Sequence, residues 1–387
     1  MYRILTLNHI ASKGLERFGR EHYEVASEIP HPDAILVRSF KMHDMEIPES
    51  LKAVGRAGAG VNNIPVDALS ERGIPVFNAP GANANAVKEL VLAGMLLAAR
   101  NICQAWAYTR QLEGDDAEMN RQVEAGKKRF AGFELPGRTL GVIGLGAIGV
   151  QVANAARALG MEVVGFDPHM TVNRAWQLDA GVQQAASVDD LVARCDMITL
   201  HLPLNEHTRH LMDADRIRAM RPGTVLLNFA RDGIVDEAAV VGALDAGHLH
   251  AYVCDFPGNR LKGHDRVIAL PHLGASTVEA EENCAVMVAD QLRAYLEHGN
   301  VRNAVNLPEV HLPRAGEGRL AVINRNRPDM VSQISHILGQ NGINIVHMVN
   351  ESRAGLAYNL IDVEGVIDEE AARGIAGIDG VLRVRVL

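Results

Sequence analysis

Short runs of β-type apolar residues alternate with polar or amphipathic stretches from the first residues onward. Tyr2–Leu7, Ala34–Val37, Ala53–Ala57 and Pro75–Phe77 read as buried strands, and the stretches between them fit crossover helices. This alternation predicts a parallel sheet with helices on both faces. From Asn85 to about Leu112 the chain lacks proline and is dense in Ala and Leu, which predicts one long helix before a polar stretch, Glu113 to Gly126. A second α/β series starts with the strand Thr139–Ile143. It continues through a helix over Ile148–Leu159 and strands at Glu162–Phe166, Asp196–Leu200, Thr224–Asn228, His250–Cys254 and Val267–Leu270. Pro308 to Gly318 holds two prolines and two glycines without periodicity and reads as a linker, residues 308–317. Beyond it the order changes. Arg319–Ile323, a helix Met330–Asn341, Ile345–Asn350, Ala357–Val363, a helix near Glu369–Ala376 and Val381–Leu387 give β-α-β-β-α-β, a ferredoxin-like unit.

Bulk properties narrow the function classes. A length of 387 residues predicts two to three domains. A hydrophobic content of 48% with 22% charged residues is that of a soluble globular chain, and the net charge of −9 gives no footing for nucleic acid. The longest nearly apolar run, Leu90 to Ala99, is about half of a bilayer span. The start, MYRILTLNHI, has no signal-peptide pattern, so a cytoplasmic protein is expected. Cys103, Cys195, Cys254 and Cys284 form no CxxC pair, which predicts neither a disulfide framework nor a metal site.

The sharpest local signal is Gly144-Leu145-Gly146-Ala147-Ile148-Gly149, a GxGxxG that follows a predicted strand and opens a predicted helix. Gly144 permits the tight turn, Gly146 lets backbone approach a pyrophosphate, and Gly149 lets helix and sheet close up. The helix N-terminus offers unpaired N–H groups to phosphate. Asp167, at the end of the next strand, is placed to accept from a ribose 2′-hydroxyl and to repel a 2′-phosphate, so NAD is expected rather than NADP.

Five segments in order, RAGAGVNNIPVD (56–67), GRTLGVIGLGAIG (137–149), HLPLNEHT (201–208), NFARDGIVDE (228–237) and PHLGAST (271–277), resemble the D-2-hydroxyacid dehydrogenases over essentially the whole chain. The resemblance implies two doubly wound parallel-sheet domains. One is a Rossmann-type nucleotide domain, residues 98–276; the other is a flavodoxin-like substrate domain, residues 1–97 and 277–307. It implies that Arg231 holds the substrate carboxylate, for which a planar guanidinium is suited, and that His272 is the general acid–base. Backbone N–H groups of Ala59 and Gly60 become a second carboxylate clamp. Pro203, Thr208, Ala230, Asp255 and Gly274 join Gly144, Gly146, Ala147, Ile148, Gly149 and Asp167 around the cofactor. Arg38-Ser39 resemble the pair that phosphoglycerate-specific members use; Lys88 and Lys127 or Lys128 are weaker candidate cations, the alternative for each being an ordinary solvated side chain.

The chain departs from the family where a glutamate normally partners the histidine. In CDFPGNRLKG the aligned position falls on Asn259 or Arg260. The imidazolium then lacks its nearby stabilising charge, and three explanations stay open. Another acid, such as Asp265, Glu279 or Glu281, reaches His272; or the histidine works alone; or catalysis is lost. The tail from Arg319, RLAVINRNRPDMVSQISHILGQNGINIVHM, resembles the ACT regulatory domain, residues 318–387. This implies an L-serine effector near Asn324, Asn326 and Asn344, with Asp329 standing where a glycine is common. Together these imply NAD-dependent oxidation of 3-phospho-D-glycerate by a homodimer or homotetramer. Another 2-hydroxy or 2-keto acid (glyoxylate, hydroxypyruvate or 2-oxoglutarate) and an NAD-sensing binding protein stay open as alternatives.

Overall fold

The computed structural model describes every residue from Met1 to Leu387. Its strands are β1 (Tyr2–Leu7), β2 (Tyr23–Ala26), β3 (Ala34–Val37), β4 (Ala53–Arg56), β5 (Val76–Phe77), β6 (Thr139–Ile143), β7 (Glu162–Phe166) and β8 (Gln183–Gln184). There follow β9 (Met197–Leu200), β10 (Thr224–Asn228), β11 (Leu249–Cys254), β12 (Val267–Ala269), β13 (Gly318–Arg325), β14 (Ile345–Arg353), β15 (Leu356–Val363) and β16 (Val381–Val386). Contacts divide the chain into two compact units, Met1–Asn83 with Val278–Leu387, and Ala84–Thr277.

The first unit contains a parallel sheet in the order β2-β1-β3-β4-β5, the flavodoxin-like arrangement. All four residues of β3, AILV, are buried, as a central strand covered on both faces requires. The helix Val278–His298 returns to cover this sheet, with Val288 and Leu292 packed where Gly55 of β4 leaves room.

The second unit contains seven parallel strands in the order β12-β11-β10-β9-β6-β7-β8. Strand order reverses at β6, which puts a Rossmann-type switch point beside the glycine loop. The helix Ala84–Ala99 packs in this unit, with Phe229 and Val253 lying close against Gly94. That is why the boundary falls at Asn83/Ala84 rather than at the expected 97/98.

Two local expectations are corrected. The single long helix breaks at Asn101, which takes a left-handed φ of 49°, and the helices Ala84–Ala99 and Ile102–Thr109 meet at 66°. Asn adopts that conformation at low cost, so the break carries no Gly or Pro marker. The polar stretch after Glu113 forms the helix Asp116–Gly126, whose Asp115 cap accepts from the Glu118 N–H. No single helix is long and apolar enough to cross a membrane.

The tail forms an antiparallel sheet, β14-β15-β13-β16, with the helices Met330–Gln340 and Glu369–Ala376. Its side chains alternate between two buried faces. Leu320, Val322, Ile361 and Val363 pack with Ile334, Leu338 and Ile375 of the helices. Ala321, Ile323, Tyr358 and Leu360 pack with Phe77, Tyr295, Leu296 and Ala304 of the first sheet's layer. The tail is therefore part of the first unit. Residues 308–317, expected to be a free linker, carry a bridge from Val301 to Val310 and bury Val310 and Leu312.

Polar groups complete this junction. A helix ends with carbonyls that have no partner inside it, and the tail supplies donors to those of Val278–His298. Arg385 donates to the Tyr295 and Leu296 carbonyls at 3.2 and 2.8 Å, and Arg319 donates to that of His298 at 2.9 Å. Tyr358 donates to the carbonyl of Gly299, the residue just beyond, at 2.6 Å.

Candidate active site

In the second unit the chain leaves β6 into the glycine loop and enters the helix Ala147–Ala158, so Ala147 and Ile148 form its first turn. Gly144 has φ +92°, and a side chain there would meet the His201 carbonyl. A Cβ on Gly149 would overlap the Gly144 carbonyl oxygen, whereas one on Gly146 would project into open space. Gly146 is thus the position at which a phosphate can approach the backbone. Asp167 follows β7 and its carboxylate accepts the Leu145 and His169 N–H groups, each at 2.8 Å. It stands beside the glycine turn, where a ribose acceptor is needed.

His201, not singled out by the sequence reading, lies beneath this turn. Its ring is 3.0 Å from the Thr199 hydroxyl, and burial pushes its pKa down to about 3, so it is neutral at physiological pH. Thr208 donates to the Pro203 carbonyl at 2.6 Å, closing the loop that follows.

Three loops hold the candidate chemical groups. Beyond β10, the buried Asn228 accepts from the Ala230 N–H at 3.1 Å and donates to the Arg231 carbonyl at 3.0 Å. The Arg231 side chain is exposed and makes a bond to the Ala230 carbonyl at 2.6 Å. Beyond β11, Asp255 is only 1% exposed. Its carboxylate accepts from Leu273 and Gly274 at 2.7 and 3.0 Å, and its carbonyl accepts from His272 at 3.1 Å. Asp255 therefore shapes the loop that presents His272, at φ +53°, with the Phe256 ring 4.7 Å from the imidazole. A cavity of about 340 Å³ is lined by His272, Pro271, Asp255, Phe256, Pro257, Gly258, Asp232 and Glu237.

Of the acids expected to reach His272, neither Asp265 nor Glu279 lines this cavity, and Glu281 binds Arg38 at 2.6 Å in the first unit. Asp232 and Glu237 do line it. Sequence spacing around Asn259 had no reason to single out either.

In the first unit the expected substrate residues follow the C-terminal ends of β3 and β4. The Ser39 N–H donates to the Asn8 side chain at 3.2 Å. Arg56 and Asn63 donate to the Arg38 carbonyl, at 3.1 and 3.3 Å, and the Arg56 guanidinium lies against Gly58. Asn78 holds the Ala59 carbonyl at 2.6 Å, next to Gly60. Lys88 belongs to the second unit and is tied to Asn85 at 2.6 Å; Lys127 pairs with Glu124.

In the tail, Asn324 and Asn326 line a cavity of about 430 Å³ with Asp329, Ser332 and Asn350. Asn344 does not line it. Asn324 is fully buried, donating to the Arg325 carbonyl and accepting from Asn359. Asp329 has φ +67°, which explains why a glycine suits that position.

Comparison with known proteins places this geometry. A family profile described as D-isomer specific 2-hydroxyacid dehydrogenase, NAD binding domain, matches residues 92–274. The chain is 36% identical to the D-3-phosphoglycerate dehydrogenase of Escherichia coli over 352 residues, 88% of this chain and 82% of that protein. It belongs to the D-2-hydroxyacid dehydrogenase family. The enzyme of the same name from Methanocaldococcus jannaschii is 40% identical over 303 residues, 76% of this chain, which spans only 55% of that relative. The apo D-mandelate dehydrogenase of Rhodotorula graminis shares the fold, with a TM-score of 0.67 at 24% identity, covering 81% of this chain and 99% of that one.

For a D-2-hydroxyacid dehydrogenase, the nucleotide region has the features NAD requires. The open face of Gly146, the helix N-terminus at Ala147 and the carboxylate of Asp167 fit pyrophosphate and ribose.

Proposed function

We propose that this dehydrogenase oxidises 3-phospho-D-glycerate to 3-phosphohydroxypyruvate, the first step of L-serine synthesis. The reading rests chiefly on the 352-residue match to a relative named D-3-phosphoglycerate dehydrogenase. NAD, when bound, supplies the hydride acceptor. Arg231 holds the substrate carboxylate by paired N–H donors, and Asn228 fixes the turn that carries it. His272 takes the hydroxyl proton, a role worth about 10²–10⁴-fold in rate. Within the first unit, the backbone N–H groups of Ala59 and Gly60 are suited to a carboxylate and Arg38 with Ser39 to a phosphate, Arg38 exchanging its Glu281 partner for it.

The reading extends to the tail as an ACT domain with L-serine as effector. The amides of Asn326 and Asn350 and the first turn of the helix Met330–Gln340 suit a zwitterion. A cytoplasmic homodimer or homotetramer is part of the same proposal. Its test compares turnover of 3-phosphoglycerate with that of unphosphorylated D-glycerate. Preference for the phosphorylated acid by at least ~10-fold in kcat/KM supports it, by the strength of charge-assisted phosphate contacts. Preference for the unphosphorylated acid moves the assignment to another 2-hydroxyacid.

A further inference from the structure

The cavity that holds His272 contains two carboxylates that the function has not yet used. Glu237 opens the helix Glu237–Asp245 as its first residue, while the neighbouring Asp236 caps that helix by accepting from Ala238 and Ala239. The cap is thus complete without Glu237. The Glu237 carboxylate instead leans over the loop after β11 and accepts from the Gly258 backbone N–H. A Cβ on Gly258 would overlap both carboxylate oxygens, so the absence of a side chain there lets this acid in. In the same loop, Asn259 and Arg260 stand where the family resemblance implies a carboxylate.

We propose that Glu237 is the positioning residue for His272: a carboxylate delivered from the neighbouring helix, over Gly258, that stabilises the imidazolium formed when the histidine accepts a proton. The inference rests on His272 being the acid–base. A carboxylate near an imidazole favours its charged form. Asp232 shares the cavity but is exposed, so more of its field is lost to water. The groups facing Glu237 are Asp232 and Asp236 from its own segment, Arg260 from the opposite loop, and Tyr252, Cys254 and Asp255 around β11. Burial and then the Asp232 charge push Glu237 above its ordinary value, while Arg260 and the Gly258 N–H oppose that shift. Above this raised value Glu237 is ionised and able to act.

The experiment measures ketoacid reduction against pH for the full-length enzyme and for Glu237→Gln, with NMR titration of the His272 ring in both. Reduction needs protonated His272, so its rate falls as pH rises through the histidine's midpoint. The proposal predicts that Glu237→Gln moves this fall, and the NMR midpoint, down by roughly half a pH unit or more. Turnover at neutral pH should drop about 10-fold, with cofactor affinity unchanged. Gly258→Ala, which expels the carboxylate without deleting it, should move both in the same direction. An unchanged NMR midpoint in Glu237→Gln overturns the proposal, as does an equal or larger shift in Asp232→Asn. Failure of the wild-type enzyme to turn over any 2-hydroxyacid instead overturns the functional reading, and the NMR comparison still decides whether the two residues are coupled.

Discussion

Replacing Asp362 with Asn should destabilise the whole first unit. Arg319 and Asp362 are both fully buried and paired through two bonds, Nε to Oδ1 at 2.5 Å and NH2 to Oδ2 at 2.8 Å. The remaining polar capacity is used by the His298 carbonyl and the Ala315 N–H. Asp362→Asn keeps the shape and leaves the Arg319 charge buried without its counter-charge, a defect that costs about 3–5 kcal/mol. For a unit of this size about 2–4 °C is lost per kcal/mol, so Tm should fall by roughly 6–20 °C. Burial pushes the Asp362 carboxyl up and the Arg319 hydrogen bond pulls it down, leaving it below its ordinary value of 3.8. A depressed carboxylate contributes stability above its unfolded value and loses it as pH falls through the folded one. The wild-type contribution is therefore intact at neutral pH and disappears only below about pH 3.8, and the variant lacks that acid-dependent part. Thermal and denaturant unfolding followed by circular dichroism at several pH values would measure both. A loss below about 1 kcal/mol would refute the sealed-pair argument. An early separate transition of the tail, with the rest of the unit unaffected, would refute the shared core.

Two further outcomes concern the nucleotide loop. Gly149→Ala puts a methyl into the Gly144 carbonyl, so loop and helix must separate. At about 1–3 kcal/mol of overpacking, NAD affinity by calorimetry should weaken roughly 5- to 150-fold, and unchanged affinity would remove Gly149 from the close-approach role. Asp167→Ala removes the acceptor that holds the Leu145 N–H beside the glycine turn, and should cut the preference for NAD over NADP by about 10-fold or more. An unaltered preference would mean that the discrimination lies elsewhere.

The legible parts of the sequence were those in which one residue type has one physical reason. Gly144, Gly146 and Gly149 each show the environment their spacing implies, and Asp167 lies beside them. Strands such as β3 and β10, each with an unbroken apolar run and buried at every position, were visible as buried runs. β8 was missed because QQ carries no apolar signal, and β2 because YEVA is only four residues long with Glu24 and Ala26 exposed; both are edge strands. The tail's topology was legible, but its docking was read as a tether. The clue lay in β15, LAYNLIDV, which is buried at all eight positions, more than a sheet with one free face needs. The His272 environment was illegible for another reason. Glu237 and Gly258 are far apart in sequence, and their meeting depends on how β10 and β11 pair in the sheet.

The central claim is tested most directly by NADH formation from 3-phosphoglycerate at alkaline pH, with the ketoacid trapped, for wild type and Arg231→Ala. The account predicts turnover by the wild type and a loss of about 10²-fold or more in kcat/KM for the variant, as deletion of a charge-assisted carboxylate contact implies. Wild-type protein that binds NAD yet turns over neither 3-phosphoglycerate nor its ketoacid, or an Arg231→Ala variant with normal kinetics, would contradict it.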